Sequence, residues 1–251
     1  MIRLKYFGKS HTGLKRKQNQ DSICLVESKD ALLAIVCDGI GGGNAGDVAS
    51  KMAAAHMKDS FLHMKMLKDD IQVKHWLQKT IQEANDLIFT QATKNHAQKG
   101  MGTTLVGIFK LRDTTYVFNV GDSRTYGLYQ NDFIALTEDH SYIADLLKRG
   151  VVSEEEALHH PNRNVLTNAL GIWNNVKIDI NKISEEYLAL LICSDGLHGY
   201  VSESAIKHVL AGNLNVEDKV NTLINEALDA GGYDNVSIII VEREGSLSWT
   251  E

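Results

Sequence analysis

Apolar residues fall into two spacings along the chain. Short runs rich in aliphatic and β-branched residues at 23–26, 32–37, 103–111, 115–120, 125–129, 133–136, 188–193 and 236–241 predict strands. The polar segment Glu27-Ser28-Lys29-Asp30 joins the first two as a hairpin, and the four runs between 103 and 136, linked by turn-like polar segments, predict an antiparallel meander. Elsewhere the spacing is helical. Val48, Met52, Ala55 and Leu62 mark one helix, and Leu77, Ile81, Ala84 and Ile88 mark a second. Ile143, Leu146 and Leu147 suggest a short helix, and Ser153-Glu154-Glu155-Glu156 has the spacing of a capping box for another, which must end before Pro161. Two more helical patterns cover 202–210 and 216–228. Two long helices follow two strands with no strand between them, which speaks against a regular βαβ succession and for an α+β fold.

Composition narrows the picture. The 251 residues contain a single proline and no Gly/Ser-rich or charged linker, so 1–251 is expected to be one domain. The net charge of −6, with acids and bases interspersed, excludes a basic nucleic-acid footprint. Met1-Ile2-Arg3-Leu4-Lys5-Tyr6-Phe7-Gly8 lacks the apolar region of a signal peptide, and no uncharged apolar stretch is long enough to span a bilayer. A cytoplasmic monomer is expected. Cys24, Cys37 and Cys193 form no C-x-x-C pair, and two of them sit inside strand-like runs, so they read as reduced core residues.

The chemistry lies at the strand ends. The run 32–37 leads into Asp38-Gly39, the run ending at Val120-Gly121 into Asp122-Ser123-Arg124, and the run 188–193 through Ser194 into Asp195-Gly196, while Asp234-Asn235 stands at the entrance of 236–241. If these ends converge, several carboxylates share one small volume, and their repulsion demands cations. Clustered carboxylates suit hard, oxygen-loving ions such as Mg²⁺ or Mn²⁺, so the chain reads as a multi-metal enzyme.

Arg16-x-x-Asn19-Gln20-Asp21, Asp38-Gly39-Ile40-Gly41-Gly42, Gly102-Thr103-Thr104, Val120-Gly121-Asp122-Ser123-Arg124, Asp139-His140-Ser141, Leu166-Thr167-x-Ala169-Leu170-Gly171, Ser194-Asp195-Gly196-Leu197 and Asp234-Asn235 occur in this order over almost the whole chain. In that order they resemble the metal-dependent serine/threonine phosphatases of the protein phosphatase 2C type, in their bacterial form. The resemblance implies a four-layer αββα sandwich, two central mostly antiparallel sheets flanked by pairs of helices. It implies that Asp38 bridges two metals, that the Gly39 carbonyl ligates one, and that Asp21, Asp195 and Asp234 add carboxylate contacts, some through water. Asp122 would help hold a third metal beside Asp195, and Arg16 would grip the substrate phosphate. The implied cofactors are Mn²⁺ or Mg²⁺, two or three per chain. The implied reaction is hydrolysis of phosphoserine or phosphothreonine by a metal-bridging water, without a covalent phosphoenzyme, on phosphoproteins made by a protein kinase. A phosphoprotein-binding scaffold and a hydrolase of small phosphoesters are the alternatives.

Elementary chemistry agrees with that assignment. Two cations can lower the pKa of a shared water and neutralise phosphoryl oxygens, and a planar guanidinium can bind two of those oxygens at once. No Gly-Lys-Ser/Thr follows the glycines at 39–43, so a nucleotide-type phosphate loop is not indicated. Two departures stand out. Ile40 occupies the place where many eukaryotic relatives carry a histidine proposed as general acid, leaving His140 and His198 as candidate substitutes, and Gln20 replaces a glutamate common in the second metal shell. Asp139 and His140 are otherwise expected to shape the entrance of the following helix, and Asp122 has a turn or a pairing with Arg124 as its structural alternative. The segment 139–163, with Glu154 to Glu156, His159, His160 and Arg163, falls where this family inserts a variable flap beside the cleft, the expected place for substrate selection.

Overall fold

The computed structural model describes residues 4–41 and 45–244; residues 1–3, and Gly42 and Gly43 of the glycine cluster, lie outside the described residues. The chain begins with β1 (Leu4–His11), the hairpin β2 (Ser22–Glu27) and β3 (Ala31–Cys37), and the two-residue β4 (Gly39–Ile40). Helices α1 (Gly46–Leu62) and α2 (Asp70–Lys94) follow, then β5 (Gly102–Thr103), β6 (Leu105–Leu111), β7 (Thr114–Val120), β8 (Arg124–Leu128) and β9 (Phe133–Ala135). Two short helices, α3 (Tyr142–Lys148) and α4 (Glu154–Leu158), precede β10 (Asp179–Lys182) and β11 (Ala189–Cys193). The described chain closes with α5 (Asp195–His198), α6 (Glu203–Ala211), α7 (Val216–Asp229) and β12 (Val236–Arg243).

Strand β3 shows how the sequence dictates the layers. Every residue of Ala31–Cys37 is buried, because successive side chains point to opposite faces and both faces are covered. Leu33, Ile35 and Cys37 pack with α1 and α2 through Ala53, Met57, Leu77, Ile81 and Ile88. Leu32, Ala34 and Val36 face the other sheet, meeting Leu190, Ile192, Ile239 and Val241. A third apolar layer sets Leu191, Cys193, Ile238 and Ile240 against Ile206, Leu210, Val220 and Leu223 of α6 and α7. Each fully buried aliphatic side chain contributes about 1.5–3 kcal/mol relative to exposure. Four layers result, helix pair, sheet, sheet, helix pair, as the resemblance implies. The sheet orders are β10-β7-β6-β3-β2 and β1-β12-β11-β8-β9, and every pairing in them is antiparallel.

Three features differ from the sequence expectation. The predicted meander is divided: β6 and β7 lie in one sheet, β8 and β9 in the other, and Gly102–Thr103 leaves the first sheet to pair with β4. The chain crosses between sheets at Gly121, whose φ of +110° turns it out of the strand. Strands β1 and β10 were not legible as strands, because both are sheet edges of mixed polarity held largely by backbone pairing. The short helices behave as expected: Ser153 and Glu156 form a complete capping box, and α4 ends before Pro161. No helix among the described residues is long and apolar enough to cross a membrane.

Candidate functional site

The strand ends of both sheets meet in a cleft of about 500 Å³ lined by Arg16, Asp38, Gly39, Ile40, Asp122, Asp195, Asp234 and Asn235, with Leu166, Ile172 and Trp173 among its walls. Four carboxylates therefore face one guanidinium. A larger groove of about 720 Å³ opens at the far end of the sandwich, beside Lys5, the 28–30 turn and Arg112, but only Glu27 and Asp30 are acidic there. The concentration of acid makes the smaller cleft the candidate site.

Each acid is fixed by its local fold. Asp38 leaves β3 in a turn locked by Thr104, whose backbone N–H donates to the Asp38 carbonyl at 2.8 Å and whose hydroxyl accepts the Asp38 N–H at 2.9 Å. Gly39 follows against the start of α1, where a Cβ would stand 2.2 Å from the Gly46 carbonyl oxygen, so only glycine allows this approach. Asp195 opens α5, and Asp122 sits on the crossing between the two sheets. Asp234 precedes β12 and accepts the Asn235 N–H at 2.8 Å.

The electrostatics are those of crowded, desolvated acids. Burial holds Asp38 well above the usual carboxylate range, with Asp21, Asp195, Asp122 and Asp234 adding repulsion. Burial, then the Asp195 charge, pushes Asp122 up to about 7. Asp195 is raised to about 6 by burial and Asp234, against the relief of a hydrogen bond shared with Asp38. Crowded and desolvated, these carboxyls resist full ionisation in the absence of cations. Arg16 meets this field through a 2.7 Å bond from Nη2 to Asp234 Oδ2; its side chain is 52% exposed and that of Asp234 21%.

Asp21 stands apart. It is buried behind the cleft rather than lining it, where Oδ2 accepts from Ser194 Oγ at 2.8 Å and Ser237 Oγ at 2.7 Å, and burial raises it to about 7. Arg124 pairs with Asp139 through Nε and Nη2, both at 2.8 Å, not with Asp122. His140 and His198 do not line the cleft. His198 donates from Nε2 to the Asp122 carbonyl at 3.1 Å, and burial pushes it down to about 4.

Several residues that build the site were passed over in the sequence. Asn235 accepts the Gln20 N–H at 2.8 Å and donates to the carbonyls of Thr12 at 2.8 Å and Gln18 at 3.0 Å, tying the loop that carries Arg16 to the entrance of β12. Ser194 and Thr104 act similarly on Asp21 and Asp38. Asn235 and Ser194 each stand beside an aspartate inside the motifs quoted above, whereas Thr104 lies in the separate Gly102-Thr103-Thr104 motif and meets Asp38 only in the fold.

The donor set fits hard divalent cations. Asp21 Oδ1 and Asp195 Oδ1 are buried and accept no hydrogen bond, an expensive state that a cation would relieve. Among the described residues no three His, Cys, Asp or Glu side chains enclose a common point. A cation here would take one or two carboxylates and complete its shell with carbonyl oxygen and water, which is the habit of Mg²⁺ and Mn²⁺ rather than of zinc in a protein cage.

Acids from two sheets gathered around one cleft, with a guanidinium at the rim, place the chain by class among cation-dependent phosphatases. Residues 7–230 match the family model described as Protein phosphatase 2C, and the chain belongs to that family. It is 40% identical over 234 residues to the serine/threonine phosphatase stp of Listeria innocua, covering 92% of each chain. Its fold matches the S. agalactiae serine/threonine phosphatase with a TM-score of 0.91 and 32% identity, over 96% of this chain and all of that one. It also matches the catalytic domain of the serine/threonine protein phosphatase PstP in complex with two manganese ions, with a TM-score of 0.82 and 27% identity over 96% of this chain and 99% of that one.

Proposed function

We propose that this chain is a metal-dependent protein serine/threonine phosphatase that works in the cleft at the strand ends. The observation that carries the proposal is the meeting of Asp38, Asp122, Asp195 and Asp234 around one cleft with Arg16 at its edge. Asp38, the Gly39 carbonyl, Asp195 and Asp234 would hold two divalent cations, Mn²⁺ or Mg²⁺; Asp122 with Asp195 would hold a third, and Asp21 would support them from behind. Bound there, the cations would make a water acidic enough to attack phosphorus and would neutralise the phosphoryl oxygens.

The chain's own residues orient the substrate. Arg16 spends its charge on Asp234 in a largely exposed pair of the kind worth about 0–1 kcal/mol. A cation that claims Asp234 would therefore free the guanidinium at little cost, ready for two phosphate oxygens. Ile40, Leu166, Ile172 and Trp173 give the cleft apolar walls that limit water around the bound ester. His140 and His198 supply no proton to the leaving alkoxide, since neither reaches the cleft; the proton would come from solvent bound within it. The segment 139–163 would act as a flap selecting substrates, in a single catalytic domain spanning 1–251. The substrates would be cytoplasmic phosphoproteins made by a protein kinase, and the enzyme would act as a monomer.

The test compares phosphate release from a phosphothreonine peptide, a phosphotyrosine peptide and p-nitrophenyl phosphate, with Mn²⁺ and with EDTA. Preferential, EDTA-sensitive hydrolysis of the phosphothreonine peptide is expected. Turnover of p-nitrophenyl phosphate alone would make the chain a small-phosphoester hydrolase, and no turnover of any substrate would make it a scaffold.

A further inference from the structure

Two histidines close on one turn. His140 is 6% exposed and grips Gly121 twice. Its backbone N–H donates to the Gly121 carbonyl at 2.9 Å, and its Nδ1 accepts the Gly121 N–H at 3.2 Å. The same Nδ1 accepts from Asn168 Nδ2 at 2.8 Å. That amide has only one orientation, because Nδ2 also donates to the Lys177 carbonyl at 2.8 Å while Oδ1 accepts the Lys177 N–H at 3.2 Å. Two donors aimed at Nδ1 leave no room for a proton there, so the ring carries it on Nε2, where Asp179 Oδ2 accepts at 2.9 Å. Lys177 Nζ holds the same Asp179 oxygen at 2.9 Å. At the next residue, His198 Nε2 donates to the Asp122 carbonyl. The turn has little slack: a Cβ on Gly121 would stand 2.6 Å from Thr104 Cγ2.

We infer that His140 and His198 are positioning residues that brace the Gly121-Asp122 turn at its two residues and hold the Asp122 carboxylate at the cleft. Asp122 has a short side chain, so its carboxylate goes where its backbone goes. With the Gly121 N–H and carbonyl and the Asp122 carbonyl all tied, the carboxylate is set before any cation arrives. The brace explains why both histidines miss the cleft and yet lie next to one of its acids. It rests on the proposed role of Asp122 as a cation-holding carboxylate.

The test uses the full chain. Imidazole ¹⁵N shifts of the metal-free wild type at pH 7 should show His140 as the Nε2–H tautomer; an Nδ1–H or doubly protonated ring overturns the brace. His198→Ala and His140→Ala should each speed amide hydrogen exchange at residues 121–123 and weaken the loosest Mn²⁺ site in calorimetry, both by roughly 5- to 10-fold, the value of one hydrogen bond. His198→Gln and His140→Asn place an amide donor or acceptor near the lost ring nitrogen and should restore both readouts. Unchanged exchange and Mn²⁺ affinity in the folded alanine variants overturn the brace. If an alanine variant fails to fold, the amide variant and the tautomer decide in the same way. Asp122→Asn separates the two levels. If it abolishes the loosest Mn²⁺ site while the histidine variants do nothing, the brace alone fails; if it leaves every Mn²⁺ site intact, the cation role of Asp122 fails and the brace loses its purpose.

Discussion

Replacing Asn235 by alanine removes the tie between the Arg16 loop and the entrance of β12. Asn235 is 5% exposed, and its side chain makes three hydrogen bonds, to the Gln20 N–H and the carbonyls of Thr12 and Gln18. At about 1 kcal/mol each the loss is about 3 kcal/mol, and about 2 if water reaches the half-buried loop. For a chain of this size that lowers Tm by roughly 5–10 °C. Leu14 and Lys15 keep their backbone bonds to the Gly232 carbonyl, at 2.7 and 3.1 Å, so the loop loosens rather than detaches. Arg16 is then held less firmly, and KM for a phosphothreonine peptide should rise about fivefold with a smaller change in kcat. Asn235→Asp should be worse than alanine, because it turns a carboxylate oxygen toward the two carbonyls that now receive N–H groups. Differential scanning fluorimetry and steady-state kinetics on the three proteins check the ranking. An aspartate variant at least as stable as alanine, or an alanine variant with wild-type Tm and KM, would refute the reasoning.

Arg16→Ala should raise KM about tenfold or more without weakening Mn²⁺ binding, since it removes the proposed phosphate contact and a competitor for Asp234; calorimetry showing weaker Mn²⁺ binding would reassign Arg16 to support of the metals. Asp38→Asn should abolish turnover while leaving the metal-free protein at least as stable as wild type, because it removes a buried acid whose ionisation burial and the neighbouring carboxylates oppose. Asp139→Ala should instead lower Tm markedly, because it strands Arg124 without its bidentate partner; a larger Tm loss in Asp38→Asn would reverse the assignment. The pH dependence follows from Asp21, Asp122 and Asp195, raised to about 7, 7 and 6. The folded metal-free chain binds these protons more tightly than the unfolded chain does. Their stabilising contribution is thus complete below about pH 4 and is lost as pH rises through 6–7. Metal-free Tm should fall from pH 5 to pH 8, while the Tm gain from Mn²⁺ should grow, because cations replace protons on the same oxygens. A Tm gain equal at pH 5.5 and pH 8 would contradict this.

Much of the fold was legible because its core strands are buried on both faces. The run Leu32–Cys37 reads as such a strand and the helices after it as amphipathic, whereas the four-layer order was implied only by the family resemblance and is borne out by the packing of the two sheets between helix pairs. Edge strands left no such mark: Leu4–His11 and Asp179–Lys182 are held by backbone pairing that their side chains do not advertise. The split of the meander was hidden in one glycine, since a positive φ at Gly121 decides which sheet β8 joins. At the candidate site, aspartates at strand ends stood out, but the groups that orient them did not. Asn235, Ser194 and the two histidines act through contacts between residues far apart in sequence, which spacing does not encode. Asp21 shows the same limit, for its placement behind the cleft depends on Ser194, at the cap of α5, and Ser237, in β12, converging on it.

The most direct measurement of the central claim is anomalous scattering from crystals of the wild-type chain soaked in Mn²⁺. Two strong peaks are expected in the cleft, within bonding distance of Asp38, the Gly39 carbonyl, Asp195 and Asp234, with a weaker third beside Asp122 at high Mn²⁺. A cleft that stays free of anomalous density at millimolar Mn²⁺, with Arg16 still paired to Asp234, would contradict the claim that these carboxylates exist to hold catalytic cations.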